Sequence, residues 1–127
     1  MSYAIAHLIY GLPITERLAE KAGELGVYLG EGEDDDDQFG KGVGFELLYT
    51  GSYYEVGFLG KELLEFDVCV DFHKLSQLEE AKLNLSDVDK AEVVGLVQAF
   101  QTEYPALAQI YTDMGVGIDF YIIWSYS

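Results

Sequence analysis

The chain has 127 residues, half of them hydrophobic and 14% aromatic, which excludes a disordered polypeptide and suits one domain with a true core. Its 23 acidic residues against 7 basic ones leave a formal charge of −16, which disfavours nucleic acid and anionic membranes as partners and favours basic surfaces. Cys69 is the only cysteine, so no internal disulfide forms, and no apolar run approaches the roughly 20 residues that cross a bilayer.

Tyr3 to Tyr10 is apolar on both faces, the pattern of a central strand, and Gly11 and Pro13 are expected to end it. No cationic segment followed by an apolar one opens the chain, so no signal peptide is read there. The expected compartment is the cytoplasm, or a host's cytoplasm if the protein is phage-encoded. A helix follows from about Thr15 to Leu25, with Leu18 on its apolar stripe and Glu16, Glu20 and Glu24 opposite. Gly26 suits its left-handed cap. Residues 30–42 read as a flexible loop rich in Gly, Glu and Asp, with Asp34, Asp35, Asp36 and Asp37 in an unbroken run.

Val43 to Thr50, Tyr53 to Leu59 and Leu64 to Phe72 each alternate apolar and polar residues with the period of two of a half-buried strand. Gly51 with Ser52, and Gly60 with Lys61, are expected to separate them. The polar set carries Glu46, Glu55, Glu65, Asp67 and Asp71 and no lysine or arginine. Paired in order, these strands would make a sheet with a greasy side and an acidic side.

Ser76-Gln77-Leu78-Glu79 fits a capping box that opens a short helix ending near Leu83, with Asn84 as left-handed cap. Ser86 is the expected N-cap of a longer helix, whose stripe holds Ala91, Val94, Val97 and Phe100, widened by Val93 and Leu96. Pro105 suits the first position of a further helix with Leu107, Ile110, Tyr111 and Met114 inward, closed by Gly115 and Gly117. Ile118 to Tyr126 reads as the last strand. The expected fold is a single α+β domain over residues 1–127 with about five antiparallel strands. The order is β-α-β-β-β-α-α-β, with helices on one sheet face and acids on the other.

Candidate chemistry is sparse. Starting at Asp35, the twelve-residue calcium-loop pattern finds Asp37, Gly40 and Glu46, but Phe39 stands where an oxygen ligand is needed and a strand follows instead of a helix. Gly40-Lys41-Gly42-Val43-Gly44 lacks the ending of a phosphate loop. Cys69, Asp71 and His73 alternate along one expected strand, nearly 7 Å apart, too far to exchange protons. His7 would join them only if the first strand were a neighbour. No catalytic set, metal site or cofactor fingerprint emerges, and an enzyme is not expected.

The remaining feature is the acidic array: Glu46, Glu55, Glu65, Asp67 and Asp71, the Asp34–Asp37 loop and nearby Tyr53. Carboxylates that pair with arginine, interleaved with a tyrosine, suit a basic protein surface built to hold phosphates. The expected function is therefore a non-enzymatic inhibitor that occupies the nucleic-acid-binding surface of a basic partner, such as a nuclease, without binding nucleic acid itself. In size and charge, though in no motif, the chain is like phage anti-restriction and anti-CRISPR proteins and nuclease-toxin immunity proteins. The alternatives are a calcium module using the acidic loop at 31–46, and a virion-type structural protein that associates through its last strand.

Overall fold

The computed structural model describes residues 4–14, 16–24, 44–48 and 56–126. Strand β1 (Ala4–Ile14) leads into helix α1 (Glu16–Glu24), and strands β2 (Gly44–Leu48) and β3 (Val56–Asp67) follow. A 3-10 helix (Phe72–Gln77) runs into α2 (Leu78–Leu83), then come α3 (Asp87–Glu103), α4 (Pro105–Met114) and β4 (Asp119–Tyr126). The strands form one antiparallel sheet in the order β2-β3-β1-β4. The long strands β1, β3 and β4 are its body, and short β2 extends one edge. The fold is α+β.

The both-faced apolarity of the first strand has the expected meaning. β1 lies between β3 and β4, and Ala6, His7, Leu8 and Ile9, which alternate between the two faces, are all buried. Its length differs from expectation, because neither Gly11 nor Pro13 ends it. Pairing with β4 stops at Gly11, whereas pairing with β3 continues to Ile14. Pro13, which has no N–H to give, thus sits where β1 has a paired neighbour on one side only.

The expected second and third core strands are one strand, so the described sheet has four strands and not five. Gly60 was expected to begin a connection, but it sits mid-strand, opposite Gly11 of β1 and Gly44 of β2. Gly60 and Gly11 have φ near +150°, and a Cβ on Gly60 would lie 2.9 Å from the Gly11 Cα. The two backbones meet where a side chain has no room, so these glycines permit the strand to continue.

The strand also ends sooner than its alternation implies, at Asp67 instead of Phe72. The Asp67 carboxylate accepts the backbone N–H groups of Cys69 (2.8 Å) and Val70 (3.2 Å), and the Asp71 N–H donates to the Asp67 carbonyl (2.7 Å). An aspartate bonding to the backbone just ahead of it makes a turn, and that local bond overrides the period-two pattern.

Helix signals are largely where they were read. The Ser86 hydroxyl accepts the Asp89 N–H at 3.1 Å and starts α3. Pro105 opens α4, and Gly115 closes it with φ +70°. The capping box does not form, because the chain is already wound into a 3-10 helix there. Ser76 donates to the His73 carbonyl (2.8 Å), Gln77 is the N-cap of α2, and Asn84 is right-handed. On α3 the buried residues are Val93, Val97 and Phe100, while Ala91 is exposed, so the buried stripe is rotated from the expected one.

One face of the sheet carries the main core. Leu12, Ile14 and Leu59 from the strands pack with Leu18 of α1, with Val93, Val97 and Phe100 of α3, and with Leu107 and Tyr111 of α4. Each such side chain contributes about 1.5–3 kcal/mol by leaving water. Two polar contacts lock the helices to the sheet. The Tyr111 hydroxyl donates to the Pro13 carbonyl (2.6 Å), and Lys61 of β3 pairs with Asp89 of α3 (3.0 Å). The Lys61 hydrogen bond holds the Asp89 carboxyl below its usual range. Among the described residues no helix is long and apolar enough to cross a membrane.

Candidate functional site

The second face of the sheet is a mixture, not the acidic plane expected. Ile9 and Phe58 are buried on it, with Tyr121 and Ile123 packed against them. The expected apolar set is in fact divided between the two faces, because β3 contains an irregularity. Leu8 pairs with Leu64 but Ile9 pairs with Glu62, so Leu63 is an extra residue on the β3 side.

That bulge has a chemical consequence. In an uninterrupted strand, residues three apart point to opposite faces. Here the extra residue brings Glu62 and Glu65 onto one face, as the partners of Ile9 and His7. His7 Nδ1 lies 2.7 Å from Glu62 Oε2, and one donor atom from each of His7, Glu62 and Glu65 lies within 4.8 Å of the others. The three differ in depth: the His7 side chain is 6% exposed, Glu62 26%, and Glu65 stands open to solvent. The imidazole is the buried member and the two carboxylates reach progressively toward solvent. Such a set can orient a proton donor or hold a cation.

Among the described residues of the expected acidic site, Glu65, Asp67 and Asp71 have separate surroundings. Glu65 joins His7 and Glu62. Asp67 spends its carboxylate on its own turn, and Asp71 stands beyond the strand, before the 3-10 helix, with no side-chain capping bond. Glu46 belongs to β2, where its backbone register partner is Phe58. Glu55, Tyr53 and Asp34, Asp35, Asp36 and Asp37 lie outside the described residues, as does the 31–43 part of the calcium-loop pattern. Cys69 is exposed in the turn after β3, so Cys69, Asp71 and His73 do not share a strand face. β1 is indeed the neighbour of β3, but it brings His7 to the two glutamates.

A second concentration of acid lies on the helices. Around the bend between α2 and α3, Glu79, Glu80, Asp87 and Glu92 are exposed, and so are two large apolar side chains, Leu83 at 84% and Val88 at 68%. Two carboxylates of this stretch have a lysine beside them. Lys82 pairs with Glu79 at 3.2 Å, and Asp89 takes Lys61 from the sheet. On β4, an edge strand of the described sheet, Ile122 and Trp124 are also substantially exposed.

No protein-family profile, curated protein or solved structure matches the chain.

Of the three members of this site, the sequence pattern points to one. Glu65 was singled out as part of an alternating acidic set. His7 and Glu62 were missed as partners because neither the bulge at Leu63 nor the adjacency of β1 and β3 is encoded in local periodicity. A histidine within an otherwise apolar central-strand segment was the one available signal, since a buried imidazole needs a polar partner.

Proposed function

We propose that the protein is a non-enzymatic acidic binding protein that covers the basic, nucleic-acid-handling surface of a partner protein. The observation that carries this reading is the α2–α3 bend, where Leu83 and Val88 stand in solvent among Glu79, Glu80, Asp87 and Glu92. Charge alone would keep the protein soluble. Large apolar side chains held out among carboxylates add what a solubility device does not need: surface that becomes more stable when covered. Negative charge of −16 speeds encounter with a cationic groove, and the apolar contacts then slow dissociation.

The test is affinity capture from host lysate, eluted in salt steps, run in parallel with the Glu80→Gln/Asp87→Asn/Glu92→Gln triple variant. The expected result is a nucleic-acid-binding protein that DNA or RNA displaces and that the variant retains poorly. Equal retention by the variant removes the bend as the site. A partner indifferent to DNA and RNA removes the competitive mechanism.

A further inference from the structure

We propose that His7, Glu62 and Glu65 form a binding site for a first-row divalent transition-metal ion, with zinc(II) the foremost candidate. This proposal is independent of the binding reading above and rests on the opposite part of the molecule. Its basis is the donor set together with the way the backbone holds it. One imidazole nitrogen and two carboxylate oxygens are a borderline set that suits Zn(II), Co(II) or Mn(II), whereas Ca(II) and Mg(II) prefer oxygen alone.

The spacing is compatible with a shared ion. Donors bound tetrahedrally at the usual zinc distances are about 3.3 Å apart. The three donor atoms here already lie within 4.8 Å of one another, with His7 Nδ1 and Glu62 Oε2 at 2.7 Å. Modest rotation of the two glutamate side chains therefore closes the set around an ion. Without a cation, two carboxylates are held close together beside a buried imidazole and repel each other. A divalent ion converts that repulsion into attraction.

The backbone brings the three residues together. The bulge at Leu63 interrupts an otherwise regular ladder, and its effect is to turn Glu62 and Glu65 toward the same face as His7. At His7 strand β1 pairs on both sides, with β3 and with β4, so the imidazole is carried on doubly paired backbone. Glu65, exposed to solvent, is where an incoming ion first meets the site. His7 is where it comes to rest.

Cobalt(II) titration of the full chain tests the proposal, because four- or five-coordinate binding to protein ligands gives visible absorption far stronger than the weak band of free or diffusely held aqueous cobalt. About 0.5 M KCl suppresses cation binding by net charge alone, since the Debye length there is only a few ångströms. The expected result is saturation at one ion per chain and displacement by zinc but not by calcium. Glu65→Gln, at an exposed position that leaves the core untouched, should weaken binding at least ~10-fold, no less than losing an outer partner of a metal ligand does. His7→Gln should abolish the cobalt spectrum. Neutralising Asp34, Asp35, Asp36 and Asp37 together to asparagine should leave it unchanged. No saturable spectrum at millimolar cobalt, or Glu65→Gln binding as tightly as the native chain, or loss of binding in the aspartate variant, would each overturn the proposal.

Discussion

The two faces of the sheet, divided by the single strand β1, are built on different principles. On the helix side, nine buried side chains from two strands and three helices form one continuous cluster. On the other side the described buried cluster is Ile9 and Phe58, and beside it lie a buried histidine and a half-buried glutamate. The first face is where folding free energy accumulates. The second keeps polar, titratable groups in fixed positions, which a face selected only for stability would replace with apolar residues. The difference teaches that alternation along β1 serves two purposes at once. Its even positions face the helix-side core, and His7 meets Glu62 on the other face.

The comparison can be broken most directly through Phe100, a large, fully buried member of the helix-side cluster. Phe100→Ala should cost about 3–5 kcal/mol in urea-melt stability, a large share of the 5–15 kcal/mol of an ordinary domain. On the other face Glu65→Gln should change stability by no more than about 0.5 kcal/mol, as exposed substitutions do. Equal losses in the two variants would mean that the faces are not divided in this way.

A smaller effect is expected at Tyr111. Its hydroxyl is buried against the Pro13 carbonyl, and burial, reinforced by the charge of Tyr121, raises its pKa well above that of a free tyrosine. The folded state thus favours the neutral phenol. The stability this represents is complete below pH ~10, where an unfolded tyrosine is also neutral, and it falls as pH rises further. Tyr111→Phe should cost about 1 kcal/mol at neutral pH. It should also flatten part of the stability loss above pH 10, with Tyr104 and Tyr121, raised in the same direction, supplying the remainder. An unchanged alkaline slope in the variant would show that Tyr111 is not the group responsible.

The smallest change refines the helix side. Gly95 sits mid-helix in α3 with nothing within 4 Å of where a Cβ would stand. Gly95→Ala should raise stability by about 0.5–1 kcal/mol in thermal or urea melts, through the lost backbone freedom of the unfolded chain. A decrease would show that α3 packs more tightly at that point than its exposure implies.

Local signals in the sequence were sufficient to determine the α+β class and most helix boundaries. Ser86, Pro105 and Gly115 act through hydrogen bonds and dihedral preferences that extend only a few residues, so they can be read in place. The apolarity of Tyr3 to Tyr10 likewise determined that the first strand is central, since only a strand covered on both faces carries such residues. Strand merging at Gly60, the turn at Asp67 and the bulge at Leu63 were decided by the tertiary structure. Each depends on what lies across the sheet: Gly11 against Gly60, Leu8 and Ile9 against a ladder with one residue too many. Register is a property of two strands together, and a one-residue slip exchanges the faces of every side chain beyond it. That is why the sequence determined that the protein is acidic and where its strands approximately lie, while only the pairing of β1 with β3 decided that His7, Glu62 and Glu65 meet.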